Sequence, residues 1–294
     1  MQEVTLAGAV MLGVLGLLVG SFLNVVIHRV PRMMERQWGE ECAAYAAEHG
    51  LAAAAPPVDS APRYNLCTPR SHCPACQHVI RWYENIPILS YLALRGRCAG
   101  CGTRISLRYP LVELATGLLF FACGWRWGIG ATALLWCGYS AALLALACID
   151  WDTTLLPDDI TLTLLWAGLL ASALRWLPVP LADAVLGAVA GYLSLWCVYW
   201  GFKLATGKDG MGYGDFKLFA ALGAWFGWQA LVPIILIAAV VGAIVGIVLK
   251  LNGGLREGKY VPFGPFLAGA GFAAMLLGPD RLMHGLLGLL GLAA

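Results

Sequence analysis

Along most of this chain the apolar residues neither alternate nor recur every few positions; they run without interruption. Continuous apolar stretches lie near residues 4–27, 111–127, 131–150, 159–177, 181–203, 216–229, 231–250 and 261–278, most of them close to the roughly 20 residues an α-helix needs to cross a bilayer. A helix apolar on all sides is the pattern of a membrane span. The sixth stretch is short and reads also as a re-entrant segment, and 282–294 reads as interfacial or as a partial span. The prediction is an all-α polytopic membrane protein with about eight transmembrane helices.

Composition agrees, with 60% hydrophobic and only 12% charged residues, against about 25% charged in an ordinary soluble domain. The formal net charge of +2 hides an asymmetry, because ten of the nineteen Lys and Arg residues fall between Arg29 and Arg108. The chain therefore divides into a first transmembrane helix (1–27), a water-soluble segment (28–110) and a membrane core (111–294). Within the soluble segment, 42–57 reads as a short helix followed by a linker. Met1-Gln2-Glu3 carries no basic residue and no small-x-small site follows the first run, so a cleaved signal peptide is not expected.

Positive residues near span ends mark the cytoplasmic side, which places 28–110 inside and the N-terminus outside. Parity of crossings then returns the chain inside at Asp150, again at Lys203, Lys208 and Lys217 around Asp215, and again at Lys250, Arg256 and Lys259. Eight spans satisfy all of these positions.

Cys73-Pro-Ala-Cys76 and Cys98-Ala-Gly-Cys101 are two Cys-x-x-Cys knuckles separated by 21 residues, close to the spacing of four-thiolate zinc sites. Each knuckle offers two sulfurs from one tight turn, and a reducing cytoplasm disfavours structural disulfides. One structural zinc ion per chain is predicted, held by Cys73, Cys76, Cys98 and Cys101 in a small zinc-ribbon-like domain between the first and second helices. His72 and His78, beside the first knuckle, read as solvated loop residues, and Cys123, Cys137, Cys148 and Cys197 as small buried residues within apolar runs.

Acidic residues at a membrane boundary are costly unless paired, solvated or used. Asp150 closes one apolar run, and Gly212-Tyr213-Gly214-Asp215 opens another. The two helices between them form a hairpin that brings the chain back to the same face. Two carboxylates that meet cannot both ionise cheaply, so one holds a proton while the other activates water, the division of labour of aspartic proteases. Asp150 and Asp215 are the predicted catalytic pair. Asp158 or Asp159, after Pro157, is expected to cap the next helix, and Asp152 to be a solvated loop residue.

These blocks resemble the bacterial type IV prepilin peptidases, bifunctional leader peptidases and N-methyltransferases that also process type II secretion pseudopilins. The resemblance runs from about Gly20 to Phe266. It rests on Gly20-Ser21-Phe22-Leu23-Asn24-Val25-Val26-Ile27-His28-Arg29, on the cysteine quartet enclosing Arg81-Trp82-Tyr83-Glu84-Asn85-Ile86-Pro87, on Ile105 to Glu113, on Ile149-Asp150 with Pro157-Asp158, and on Gly212 to Asp215. Asp150 and Asp215 match the family's catalytic aspartates.

The resemblance implies an enzyme of the bacterial inner membrane that cleaves a short basic leader after a glycine on the cytoplasmic side. It then methylates the new N-terminal residue from S-adenosylmethionine. The implied partners are prepilins or pseudopilins and membrane lipids, with no nucleic acid. The methyl donor's site is placed only by region, in the N-terminal part and its cytoplasmic loop, with Asn24, Glu84, Arg108 and Glu113 as candidates for it or for helix packing and surface ion pairs. Two other readings compete: a proton- or cation-coupled transporter using the same acids, and a zinc-bearing membrane scaffold that only binds partners.

Overall fold

The computed structural model describes residues 5–50, 64–253 and 261–289. Among them every regular element is helical, and β-pairing is confined to two isolated bridges. Contacts divide the chain into two compact units, Met1–Ile129 and Gly130–Ala294.

The first unit is a helical pair carrying a loop domain. Helix α1 (Leu6–Glu48) is capped by the Thr5 hydroxyl, which accepts from the Gly8 N–H at 3.2 Å. α1 does not stop where its apolar run does. It continues through Pro31 to Glu48 because residues 32–48 are mostly good helix formers, with an i,i+4 bond from Gln37 to Glu41 at 2.9 Å. The short helix expected after residue 42 is the end of this one, and the expected linker falls within 51–63, outside the described residues.

The short helix α2 (Leu89–Ala93) precedes α3 (Arg108–Trp127). α3 packs antiparallel on α1 through glycines. A side chain at Gly16 would meet Thr116 O and Phe120 Cβ at 2.7 Å, and one at Gly20 would meet Glu113 Cα at 2.7 Å. Gly124 returns the relationship, with Ala9 Cα at 2.8 Å from such a Cβ. Gly16-x-x-x-Gly20 is the small-x-x-x-small spacing that lets apolar helices approach backbone to backbone where no water drives them together.

The second unit is built around a buried helix. Its elements are α4 (Ala131–Thr153), α5 (Asp158–Ala173), α6 (Leu181–Thr206), α7 (Tyr213–Phe226), α8 (Leu231–Leu251), α9 (Gly264–Leu277) and α10 (Pro279–Leu289). α7 is the core: nearly every residue from Asp215 to Trp225 is buried. α6 meets it at Gly187 against Gly223 and at Gly191 against Phe219 O. α5 meets it at Gly168, where the Trp225 indole fills the missing side chain's place and donates to Leu164 O at 2.8 Å. The rings of Trp136 and Tyr139 of α4 pack against that indole at tilted angles.

Among the described residues, four helical stretches are long and apolar enough to cross a membrane: α1, α4, α6 and Trp228–Leu251; Gly264–Leu277 is apolar but shorter. α7, with 14 residues, rises only about 21 Å against a hydrocarbon core of about 30 Å. Its neighbours enclose it, so it faces protein and need not match the thickness of the bilayer.

Candidate active site

Asp150 lies in the last turn of α4, which closes when the left-handed Thr154 donates its N–H to Asp150 O at 2.8 Å. Asp215 lies in the first turn of α7. Both side chains are buried, 5% and 7% exposed, and lie close enough to interact. The packing thus brings together two acids 65 positions apart.

A third segment completes the site. The N–H of Gly264, at the start of α9, donates to Asp150 Oδ2 at 2.9 Å in a buried bond. The first N–H groups of a helix have no partner within it, and Pro265 behind Gly264 contributes none, so the carboxylate takes the donor that α9 leaves over. A Cβ at Gly264 would fall 2.6 Å from Asp150 Oδ2 and 3.3 Å from Leu156 Cδ1; a Cβ at Gly214 would fall 2.7 Å from Leu156 Cβ. Leu156 therefore wedges between the glycines that flank the two acids. Asp215 Oδ1 is buried with no hydrogen-bond partner among the described residues.

Glycines before Asp215 permit both sharp backbone geometry and the close approach of another segment, and the second is the role in use. Neither has positive φ; Gly212 is extended at φ −81° and ψ 149°, and Gly214 is helical. Close approach at Leu156 is the constraint on Gly214. Gly264 was missed altogether. Its signal, Pro262-Phe263-Gly264-Pro265 ahead of an apolar run, marks a helix start but not what that start faces.

Asp158 does not cap α5. Pro157 occupies the N-cap, and Asp158 reaches across to Lys217 of α7, with Nζ 2.7 Å from each carboxylate oxygen. Before α7, the loop is tied down by Asp209, which accepts from the Tyr199 hydroxyl at 2.6 Å and pairs with Lys203 at 2.8 Å. The Lys203 ammonium, then the Tyr199 hydroxyl, hold the Asp209 carboxyl below its usual range.

In the first unit Cys73, Cys76, Cys98 and Cys101 converge, their sulfurs all within 4.8 Å of one another. The two knuckles repeat one backbone pattern 25 residues apart. Cys73 N–H donates to His78 O and Cys98 N–H to Thr103 O; Gln77 and Gly102, both at positive φ, donate back to Cys73 O and Cys98 O. Each turn is closed by an antiparallel bridge, His72 with Val79 and Arg97 with Arg104.

The cross-knuckle distances Cys73–Cys101 and Cys76–Cys98 are each 3.9 Å, while thiolates about 2.3 Å from a tetrahedral zinc would stand about 3.8 Å apart. Thr103, through its hydroxyl and its N–H, holds the Cys101 thiol down to about 6, and Gly100 N–H donates to Cys98 Sγ at 3.4 Å. The donor set fits zinc.

Of the flanking histidines, His72 is exposed, with its ring nitrogen 2.9 Å from Arg70 O, whereas His78 is not merely solvated: it pairs with Glu84 at 3.0 Å. Glu84 also caps the Trp82–Asn85 turn by accepting from Arg81 N–H at 2.9 Å. Asn24 donates to Tyr109 O at 3.1 Å, and Glu113 accepts from Ile88 N–H at 2.8 Å. Among the other cysteines, Cys123 and Cys137 are buried, Cys148 is half-buried and Cys197 is exposed on α6.

Comparison with known proteins follows the same division of the chain. Residues 14–127 match the bacterial peptidase A24 N-terminal domain, and residues 137–247 match the type IV leader peptidase family. A Pseudomonas putida protein named prepilin leader peptidase/N-methyltransferase is 53% identical over 268 residues, 91% of this chain and 90% of its own. Proteins of the same name from Burkholderia pseudomallei (53% over 275 residues; 92% and 86% of the two chains) and Aeromonas salmonicida (54% over 267 residues; 89% and 88%) are similar throughout. No solved structure matches. With both of its units matched and relatives more than half identical along nearly its whole length, this chain belongs to the type IV leader peptidase family.

Proposed function

We propose that this protein is an intramembrane aspartyl endopeptidase that removes the leader of type IV prepilins and pseudopilins and then N-methylates the new N-terminus. The peptidase and methyltransferase activities rest on the relatives' shared name and on the family. The observation that carries the peptidase mechanism is the buried juxtaposition of Asp150 and Asp215 with the Gly264 N–H. Transport has no such support: the matched family is one of peptidases.

Two interacting carboxylates out of water share a single proton. Asp150 receives an N–H and is the member favoured as the ion, while Asp215, whose Oδ1 has no donor among the described residues, keeps the proton. In this reading Asp150 takes a proton from water as its oxygen attacks the scissile carbonyl carbon, and Asp215 protonates the carbonyl oxygen. The tetrahedral diol then collapses. The proton held by Asp150 passes to the leaving nitrogen, the C–N bond breaks, and Asp215 recovers its proton from the diol. The products are the leader's carboxylate and a new amino terminus.

In this reading the eight helices α1 and α3–α9, which overlap the eight apolar runs, each cross the inner membrane, so that Lys203, Lys208 and Lys217, and with them both acids, face the cytoplasm. The four cysteines would hold one structural zinc ion. S-adenosylmethionine would supply the methyl group. Asn24, Glu84 and Glu113 each hold backbone of their own chain, so their first role is architectural.

The test is cleavage of a purified prepilin in lipid nanodiscs, read by mass spectrometry with and without methyl donor. Asp150→Asn and Asp215→Asn should each lower leader removal by roughly 10²–10⁴-fold or more. Either variant cutting at the wild-type rate would remove its residue from the mechanism.

A further inference from the structure

The segment between the cysteine knuckles is more apolar than a water-soluble loop needs to be. From Ile86 to Leu94 it reads Ile-Pro-Ile-Leu-Ser-Tyr-Leu-Ala-Leu, and in α2 it exposes Leu89 and Leu92, each 65% accessible and three residues apart on one helical face. Its entry is strained. Ile88, a β-branched residue, has φ 59° and ψ −47°, and Leu89 N–H closes a γ-turn onto Pro87 O, a conformation that persists only where its surroundings impose it.

Here Glu113 imposes it. The carboxylate, 8% exposed on α3, accepts the Ile88 N–H at 2.8 Å, and Glu113 itself is seated on α1 beside Ser21, its Cα 2.7 Å from where a Cβ at Gly20 would lie. That position sets a depth. Ser21 precedes Ile27, the last apolar residue before His28, by six positions, which is about 9 Å along a helix. α1 is a candidate membrane span, so the turn at Ile88 lies below the end of the apolar run, at the level of lipid rather than of bulk water.

The flanks agree with that level. Trp82 and Tyr83 are exposed just before the segment and Arg95 and Arg97 just after it, the aromatic and basic neighbours found where chain meets headgroups. α3, which anchors the segment through Glu113, likewise exposes Leu111 and Leu118.

We propose that residues 82–95 form a lipid-embedded surface of the zinc-bearing domain, with Leu89 and Leu92 in contact with acyl chains and Glu113 as the anchor that holds them there. The cysteine cluster is thereby held against the membrane and does not swing freely beneath it.

The unmodified chain permits a direct test. In nanodiscs containing a phospholipid with a photoactivatable group on its acyl chain, irradiation and trypsin digestion release residues 82–95 as one peptide, because Arg81 and Arg95 bound it, and residues 98–104 as another. Lipid adducts on 82–95, at a level comparable with peptides from the apolar run of α1 and absent from 98–104, are expected. Incorporating p-benzoylphenylalanine at Leu89 or Leu92 should give lipid adducts, and at Ala99 none. A bare 82–95 peptide, or photoproducts at positions 89 and 92 that join a second copy of the chain or a prepilin in place of lipid, would overturn the proposal.

Discussion

Gly264 offers its N–H to Asp150 at 2.9 Å from a position where a Cβ would come within 2.6 Å of the same carboxylate oxygen. Gly264→Ala should therefore displace the Asp150 carboxylate. Because a misplacement on the ångström scale costs catalysis about 10²-fold, kcat for leader cleavage is expected to fall by about that factor while KM and zinc content hold. Gly269→Ala, on the same helix with nothing within 4 Å of the added Cβ, is the control. Equal activity in the two variants would show that the contact does not matter.

The Asp158–Lys217 pair joins the first turn of α5 to the second turn of α7, but its side chains are 53% and 29% exposed. Exposed ion pairs contribute about 0.2–1 kcal/mol. Lys217→Met is expected to leave thermal stability within about 1 kcal/mol of the parent, measured by denaturation in detergent. A much larger loss would mean that the pair, and not the glycine contacts, holds α7.

Asp209 anchors the loop that leads to Asp215, and its carboxyl is held low by Lys203 and then Tyr199. A depressed folded value means that the anchor is fully present above the unfolded carboxylate pKa of about 3.9, and is lost only as pH falls through the lower folded value. Asp209→Asn should accordingly slow cleavage by one constant factor between about pH 5 and 8. A variant rate ratio that changes across that window would assign Asp209 a titrating role.

Two glycines of α1 should respond in opposite senses. Gly20→Ala drives a methyl group onto the α3 backbone at Glu113 and should cost about 1–3 kcal/mol. Gly39 has nothing within 4 Å, so Gly39→Ala removes only glycine's helix penalty and should stabilise by up to about 1 kcal/mol. Melting curves of the two variants against the parent decide this.

Chelation or Cys73→Ser should abolish a metal content of one zinc per chain, because a structural site needs all four thiolates. With the knuckles released, trypsin should cut faster at Arg95, Arg97 and Arg104. Unchanged digestion after verified metal loss would show that the backbone bonds of the two turns hold the domain without the ion.

Much was legible before any coordinates. The apolar runs, the two cysteine knuckles and the acids at run ends are local in the chain, and their spacing carries their meaning because a helix turn or a tight loop converts it directly into geometry. Each of the eight apolar runs falls largely on a helix, four of them in helical stretches long and apolar enough to cross a membrane, and the four cysteines do converge. α1 outran its expected end because helix propensity, not hydrophobicity, governs residues 32–48. Asp158 was expected as a cap and serves instead as an ion-pair partner, since its neighbour in space is Lys217, 59 positions later.

From the sequence by itself came the membrane class, the four cysteines spaced to share one ion and the two acids at run ends. Only the tertiary structure decided that Gly264, 114 positions after Asp150, would orient that acid, that Gly214 is required by Leu156 and not by a turn, and that Glu113 pins Ile88 beside Ser21. Those relationships depend on which helix packs against which, and no periodicity along one segment encodes the partner that a distant segment will present.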